Sequence, residues 1–444
     1  MVKSIKQNHK NRTYKNHTHK NRNSNSNRNH NHILLPNKTP YKDNKLSHII
    51  STSLKKHINL GYGLGLEMNI GEGPPTRIRD LSSYSPTIND NLISLKSSTR
   101  EKVIGCNLKR AFSLKEPLQI KIGSTCYLYS DPLAKDVFLH NLAANKHINV
   151  KKIIPPIQIL SNCWFNTMFC AFFISDKGRK FFHYFRQLMI EGRTADKHKI
   201  QPHSLRDAFA LLNFAIESAL LGTSYAYELD TNSIIKIIHD IITSHHKHRR
   251  LFSTNTNPFK EYIVPVDNAS NPIRYYEGII HYLHNKSIQL LSVSVTIEKM
   301  HINSNSIVNI IQHEIDNGHD QDQDKGHFPH IIVVEIFDGS NKSEGDSGKI
   351  NNRPLDFKLS KDVNYILDSC IIRDTYQNHF CAMLTCEEKE MGYDGMSFHR
   401  LVPMKWKKHL NSSTKWSFEG SVDNGRTLEW SFKHGYQMLI YYRA

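Results

Sequence analysis

Cys163-Trp164-Phe165-Asn166-Thr167-Met168-Phe169-Cys170 opens an apolar, helix-like run directly after the polar loop that follows Pro155-Pro156. A cysteine at a helix N-terminus sits where the helix dipole favours an anionic sulfur, which makes it a better nucleophile. The competing reading of the same position is a small buried hydrophobe, the fate of most free cysteines. From residue 163 onward the pattern stays helical. Phe181, Phe182, Phe185, Leu188 and Met189 recur at helix spacing, as do Leu205, Phe209, Leu212, Ile216 and Leu220, before Gly222 stops the run. After about residue 260 the chain turns to strands: 262–264, 290–297, 331–337, 365–372, 380–384 and 437–442. Two polar insertions, 313–325 and 338–353, read as flexible loops. Helices first and strands second predict an α+β fold, a helical half followed by an antiparallel β half.

Outward from this core the chain changes character. Of its 444 residues, the first 50 carry eleven Lys or Arg and one acid, Asp43, and so hold +10 of the net charge of +17. That stretch is Asn, His, Lys, Arg and Ser, with too little apolar surface to offset the entropy of ordering it. Residues 1–50 are therefore expected to be a disordered basic tail. Such a tail suits weak binding of nucleic acid or polyanions through phosphate contacts; a solvated tail without a ligand is the other reading. Residues 51–150 mix Gly-rich turns with short alternating runs such as Leu118-Gln119-Ile120-Lys121-Ile122, and read as an N-terminal extension packed partly on the core. Residues 151–444 form the main domain.

The chemistry turns on the other end of that domain. Residues 365–372 alternate as a strand, 373–378 turn, and His379-Phe380-Cys381-Ala382-Met383-Leu384 returns. A histidine at the head of a returning strand is held on a rigid element, as a general base should be. Fifteen residues on (394 minus 379), Tyr393-Asp394-Gly395 places a carboxylate in a tight turn, able to orient an imidazole. Cys163, His379 and Asp394 thus form a candidate nucleophile, base and orienter. Glu419, in Lys415-Trp416-Ser417-Phe418-Glu419, is the alternative third member. Cys126, in Gly123-Ser124-Thr125-Cys126-Tyr127-Leu128, is a rival nucleophile set aside because its surroundings alternate like a strand. Cys170 reads as core packing, and Cys381 and Cys386 as small strand residues.

Gln158-Ile159-Leu160-Ser161-Asn162-Cys163-Trp164-Phe165-Asn166 resembles the cysteine box of ubiquitin-specific proteases. The stretch 365–384 with Asn378-His379-Phe380 resembles their histidine box. Tyr393-Asp394-Gly395 resembles the turn that supplies their third triad member, and Gly435-Tyr436-Gln437-Met438-Leu439-Ile440-Tyr441-Tyr442-Arg443 their closing strand. The wording of these blocks is also similar to ubiquitin-hydrolase-like proteins of large DNA viruses. The resemblance implies a papain-like cysteine peptidase fold, with Cys163 as nucleophile, His379 as base, Asp394 as orienter and Gln158 as an oxyanion-hole amide. Asn166 is expected to cap or brace the helix. The sequence departs from the family at Leu160-Ser161-Asn162 before the cysteine, at Asn378 before the histidine and at Gly395 after the aspartate. No Cys-x-x-Cys pair builds a zinc-bearing finger.

The expected function is a thiol hydrolase that cleaves after the C-terminal Gly-Gly of ubiquitin or a ubiquitin-like protein, with conjugates of those proteins as partners. The alternative is a catalytically inactive, virion-associated scaffold or binding protein of the same fold. No cofactor and no metal are expected. Seven scattered cysteines read as reduced thiols of an intracellular setting, host cytoplasm or virion, and no secretory leader is recognisable. Residues 153–175 lack charge, but Pro155, Pro156, Gln158, Ser161, Asn162, Asn166 and Thr167 make them a poor membrane span. They read as a buried loop and helix.

Overall fold

Amphipathic and wholly apolar helices fill the first half of the domain, for the reason their spacing gives. A computed structural model describes residues 100–106, 116–143, 148–228, 230–249, 272–285, 288–317, 328–337, 345–361, 363–376 and 379–444. All fall within one compact unit, Lys42–Ala444. The basic tail, residues 51–99, the strand expected at 262–264 and Asn378 lie outside the described residues. A hairpin of β1 (Gln119–Ile122) and β2 (Thr125–Leu128) leads into α1 (Pro132–Ala143). Then come α2 (Cys163–Phe173), α3 (Asp176–Phe181), α4 (His183–Glu191), α5 (His203–Leu221), α6 (Asn232–Arg249) and α7 (Pro272–Tyr282). Every residue of α2 is buried, as a helix apolar on all sides must be. The Ser175 hydroxyl accepts from Gly178 N–H and donates to the Ala171 carbonyl, so one side chain ends α2 and starts α3. Leu205, Phe209, Leu212, Ile216 and Leu220 all face the core along α5, and Gly222 ends it in the left-handed conformation.

The second half is one mixed sheet. Its strands are β3 (Leu290–Val295), β4 (Ile331–Ile336), β5 (Asp356–Ser360), β6 (Val363–Arg373), β7 (Phe380–Cys386), β8 (Lys389–Tyr393) and β9 (Leu401–Pro403). Four two-residue strands come next, β10 (Lys415–Trp416), β11 (Val422–Asp423), β12 (Arg426–Thr427) and β13 (Trp430–Ser431), and then β14 (Gln437–Arg443). The eight-stranded sheet runs β3-β4-β14-β6-β7-β8-β9, with β5 also on β6. Strand alternation divides the core. Met438, Ile440 and Tyr442 face the helices, whereas Leu439 and Tyr441 face the opposite side, with Trp406, Trp430 and Phe432.

Two expectations are corrected. The β half is not wholly antiparallel: β3 and β4 pair in parallel, Leu290 opposite Ile331. Parallel neighbours need a crossover, and α8 (Ile297–Ile302) with α9 (Ile307–Asn317) provides it. Ile307, Ile310, Ile311 and Ile315 form the buried face of α9, so residues 313–317 are helix rather than loop. A short helix, Gly345–Lys349, likewise stands within the second expected loop.

The cysteines also divide, so the expectation that all seven are reduced thiols is corrected. Cys106 and Cys126 form a disulfide with Cα atoms 6.2 Å apart, which removes Cys126 as a nucleophile. The hairpin causes this, because Gly105 bridges to Ile120 and Cys106 N–H donates to the Gln119 carbonyl (2.9 Å), opposite the strand that carries Cys126. The other five cysteines are free. Among the described residues no helix is long and apolar enough to cross a membrane.

The described part of 100–150 is joined to the helices. Tyr225 donates its hydroxyl to the Gly105 carbonyl (2.9 Å). Arg100 and Arg186 both meet Glu217 of α5, at 2.6 and 2.7 Å, with all three side chains at most 2% exposed. Burial alone would raise the Glu217 carboxyl, but the charges of Arg100 and Arg186 and their hydrogen bonds hold it below the ordinary carboxylate value. Removing the acid strands two buried cations. Glu217→Ala is therefore expected to lower the unfolding free energy by about 3–5 kcal/mol in urea denaturation. A loss below about 1 kcal/mol would mean that the guanidiniums find other compensation.

Candidate active site

Two loops close on each other before any catalytic side chain is considered. The 154–162 loop leads to Cys163, and the 394–400 turn comes directly after β8. Gln158 N–H donates to the Gly395 carbonyl (2.9 Å), the Tyr393 hydroxyl to the Pro156 carbonyl (2.8 Å), and Arg400 Nη1 to the carbonyls of Pro155 and Ala226 (both 2.9 Å). The approach leaves no room for a side chain at Gly395. A Cβ there would lie 2.8 Å from Gln158 N and 2.9 Å from the Tyr393 hydroxyl. The glycine at this position is thus dictated by packing.

The same loop is braced from behind. Asn162 Oδ1 accepts from Ile159 N–H (3.0 Å), Asn166 Nδ2 donates to the Ile157 carbonyl (3.0 Å), and Thr231 Oγ1 donates to Asn166 Oδ1 (2.7 Å). Asn232 Nδ2 adds a bond to the Ile159 carbonyl (3.0 Å). Asn166 therefore ties the loop to α2 and makes no contact with the chemistry. Cys163 is the first residue of α2 and 4% exposed. The N–H groups of that first turn have no partner within the helix and point their partial positive charge at the sulfur's end.

His379 stands at the head of β7, at the sheet end where β8 delivers Asp394. Asp374 fixes its backbone: Oδ1 accepts from His379 N–H (2.7 Å), and Asp374 N–H donates to the His379 carbonyl (2.8 Å). The imidazole Nε2 lies 2.5 Å from Asp394 Oδ1, and both residues are at most 3% exposed. Cys163 lies close enough to His379 to help raise the pKa of the imidazole. Trp430 of β13 stands edge-on to the imidazole, centroids 5.9 Å apart, and shields the pair from water.

Asp394 Oδ1 additionally accepts from Met396 N–H (3.0 Å), and Oδ2 accepts from the Ser421 hydroxyl. Glu419, the alternative acid, is exposed; only its carbonyl is engaged here, accepting from Phe398 N–H (2.9 Å). The block that carries Glu419 delivers a hydroxyl to the site instead of a carboxylate. Sequence reasoning missed Ser421, Asp374 and Trp430. None belongs to a motif, and only the meeting of distant turns reveals them.

Gln158 is at the loop but turned partly inward. Its Nε2 donates to the Leu160 carbonyl, and among the described residues its buried Oε1 has no hydrogen-bond partner. One amide proton remains for an oxyanion. Burial pushes the thiols of Cys170, Cys381 and Cys386 up, which leaves them protonated core residues. Among the described residues no cluster of three or more His, Cys, Asp or Glu is placed to hold a metal ion. No protein-family model matches the chain, and a search of curated proteins finds no match.

Electrostatics give the site a defined charge state. Burial alone would lower the His379 pKa. The hydrogen bond to Asp394 and the neighbouring Cys163, and then the charges of both, raise it from 6.5 to about 10. The folded protein therefore holds this proton more tightly than the unfolded chain. The resulting stability is fully present below about pH 6.5 and is lost as pH rises through about 10. The stability advantage of the wild type over Asp394→Asn, from denaturant unfolding at several pH values, should be largest below 6.5 and shrink toward 10. A pH-independent difference would contradict the assignment.

Proposed function

We propose that this protein is a cysteine hydrolase of the ubiquitin-specific-protease type, with a papain-like arrangement of Cys163, His379 and Asp394. The observation that carries the reading is a single buried imidazole bonded to a carboxylate, with a cysteine at a helix N-terminus close enough to help raise its pKa. His379 takes the proton of Cys163 as the sulfur attacks the substrate carbonyl carbon. The carbonyl π electrons move to oxygen, where the first-turn N–H groups of α2 and the remaining Gln158 amide proton are the candidate donors. His379 then gives its proton to the leaving amine, and the C–N bond breaks. Water, deprotonated by the same imidazole, releases the acyl group and restores the thiol.

The substrate class rests on the four sequence blocks and their order: cleavage after the Gly-Gly tail of ubiquitin or a ubiquitin-like protein. A viral setting, in host cytoplasm or virion, rests on the same resemblance. A second reading, an inactive virion-associated scaffold of this fold, is favoured by the inward engagement of the Gln158 amide with Leu160.

The full chain should form a covalent adduct with ubiquitin that carries a cysteine-reactive electrophile at its C-terminus, and Cys163→Ala should form none. His379→Ala should slow turnover of a ubiquitin C-terminal amide roughly 10²–10⁴-fold. A folded wild type that forms no adduct would overturn the ubiquitin reading and favour the scaffold.

A further inference from the structure

The triad set leaves one strong contact unexplained. Ser421 lies 27 residues beyond Asp394, is fully buried, and donates its hydroxyl to Asp394 Oδ2. Its aim is fixed from both sides of its own backbone. Ser421 N–H donates to the Phe418 carbonyl (3.1 Å), and its carbonyl accepts from Leu428 N–H (3.0 Å). The preceding residue, Gly420, has φ +87°, and a Cβ there would lie 2.6 Å from the Phe398 ring. Phe398 in turn belongs to the Asp394 turn, and its N–H is bonded to the Glu419 carbonyl. The two turns are thus zipped together around one carboxylate.

The chemistry of that carboxylate shows what the zip achieves. Oδ1 serves His379 Nε2 and Met396 N–H; among the described residues Ser421 is the donor to Oδ2. A carboxylate held at one oxygen only can rotate about its own bond, and the oxygen on the imidazole then wanders. We propose that the Ser421 hydroxyl latches the Asp394 carboxylate so that Oδ1 stays on His379. Ser421 is a positioning residue that acts through Asp394. Its effect on turnover rests on the proposed triad, whereas the latch itself belongs to the His379–Asp394 pair and is tested there.

The test uses the full chain as wild type, Ser421→Ala, Ser421→Thr and Asp394→Asn. Each is read by the NMR pH titration of the His379 ring and by hydrolysis of a ubiquitin C-terminal amide. The wild-type ring should stay protonated to about pH 10. Ser421→Ala should lower the midpoint by about one unit and kcat roughly tenfold, with KM little changed. Ser421→Thr, which keeps the hydroxyl, should restore both, and Asp394→Asn should give the larger fall. Should the alanine variant fail to fold, Ser421→Cys, near in size and a weaker donor, must lower the midpoint in its place. A folded Ser421→Ala with an unchanged midpoint overturns the latch. A lowered midpoint in a protein whose wild type does not hydrolyse the amide supports the latch and overturns the ubiquitin-hydrolase reading.

Discussion

A histidine taken out of water loses its proton unless something nearby is worth more than the lost hydration. His379 is 3% exposed, and the structure around it answers that demand. Asp394 sits on one ring nitrogen, Cys163 lies close enough to favour the ring's proton, Trp430 stands edge-on to it, and Asp374 fixes the backbone from which it projects. Every other feature of the site serves to keep these groups in register, since a charge in a dry place is costly when its partner moves.

Register is supplied by one backbone bond between the two loops and by side chains that hold loop carbonyls. The 154–162 loop and the 394–400 turn share the Gln158 to Gly395 bond, and Arg400 and Tyr393 hold proline carbonyls of the loop. The sheet positions one side of this closure through the β7–β8 pairing, and the wholly buried α2 positions the other against β7. Cys163 therefore belongs to the helical half, and His379 and Asp394 to the sheet half.

Much of this was legible in the sequence where one physical rule dominated. The helical periodicity of 205–220, the stop at Gly222 and the alternation in 365–372, 380–384 and 437–442 correspond to α5, β6, β7 and β14. Cys163, His379 and Asp394 could be named because each sits at the boundary of such an element. What escaped was non-local. The parallel β3–β4 pair depends on a crossover, although the isoleucine spacing of α9 already carried the helical period. The Cys106–Cys126 disulfide depends on a hairpin folding back on Gly105. Ser421 meets Asp394, Asp374 the His379 backbone and Trp430 the imidazole, each through turns that carry no periodic signal, and Glu419 is exposed while Gly420 directs the next residue at the site.

The central claim is that Cys163 and His379 act as one reactive pair, whatever the substrate. Residue-resolved mass spectrometry of the full chain under limiting iodoacetamide at neutral pH tests it most directly. Cys163 should be alkylated well before Cys170, Cys370, Cys381 and Cys386, and His379→Ala should remove that advantage. Equal labelling of Cys163 in the wild type and in a folded His379→Ala variant would contradict the account.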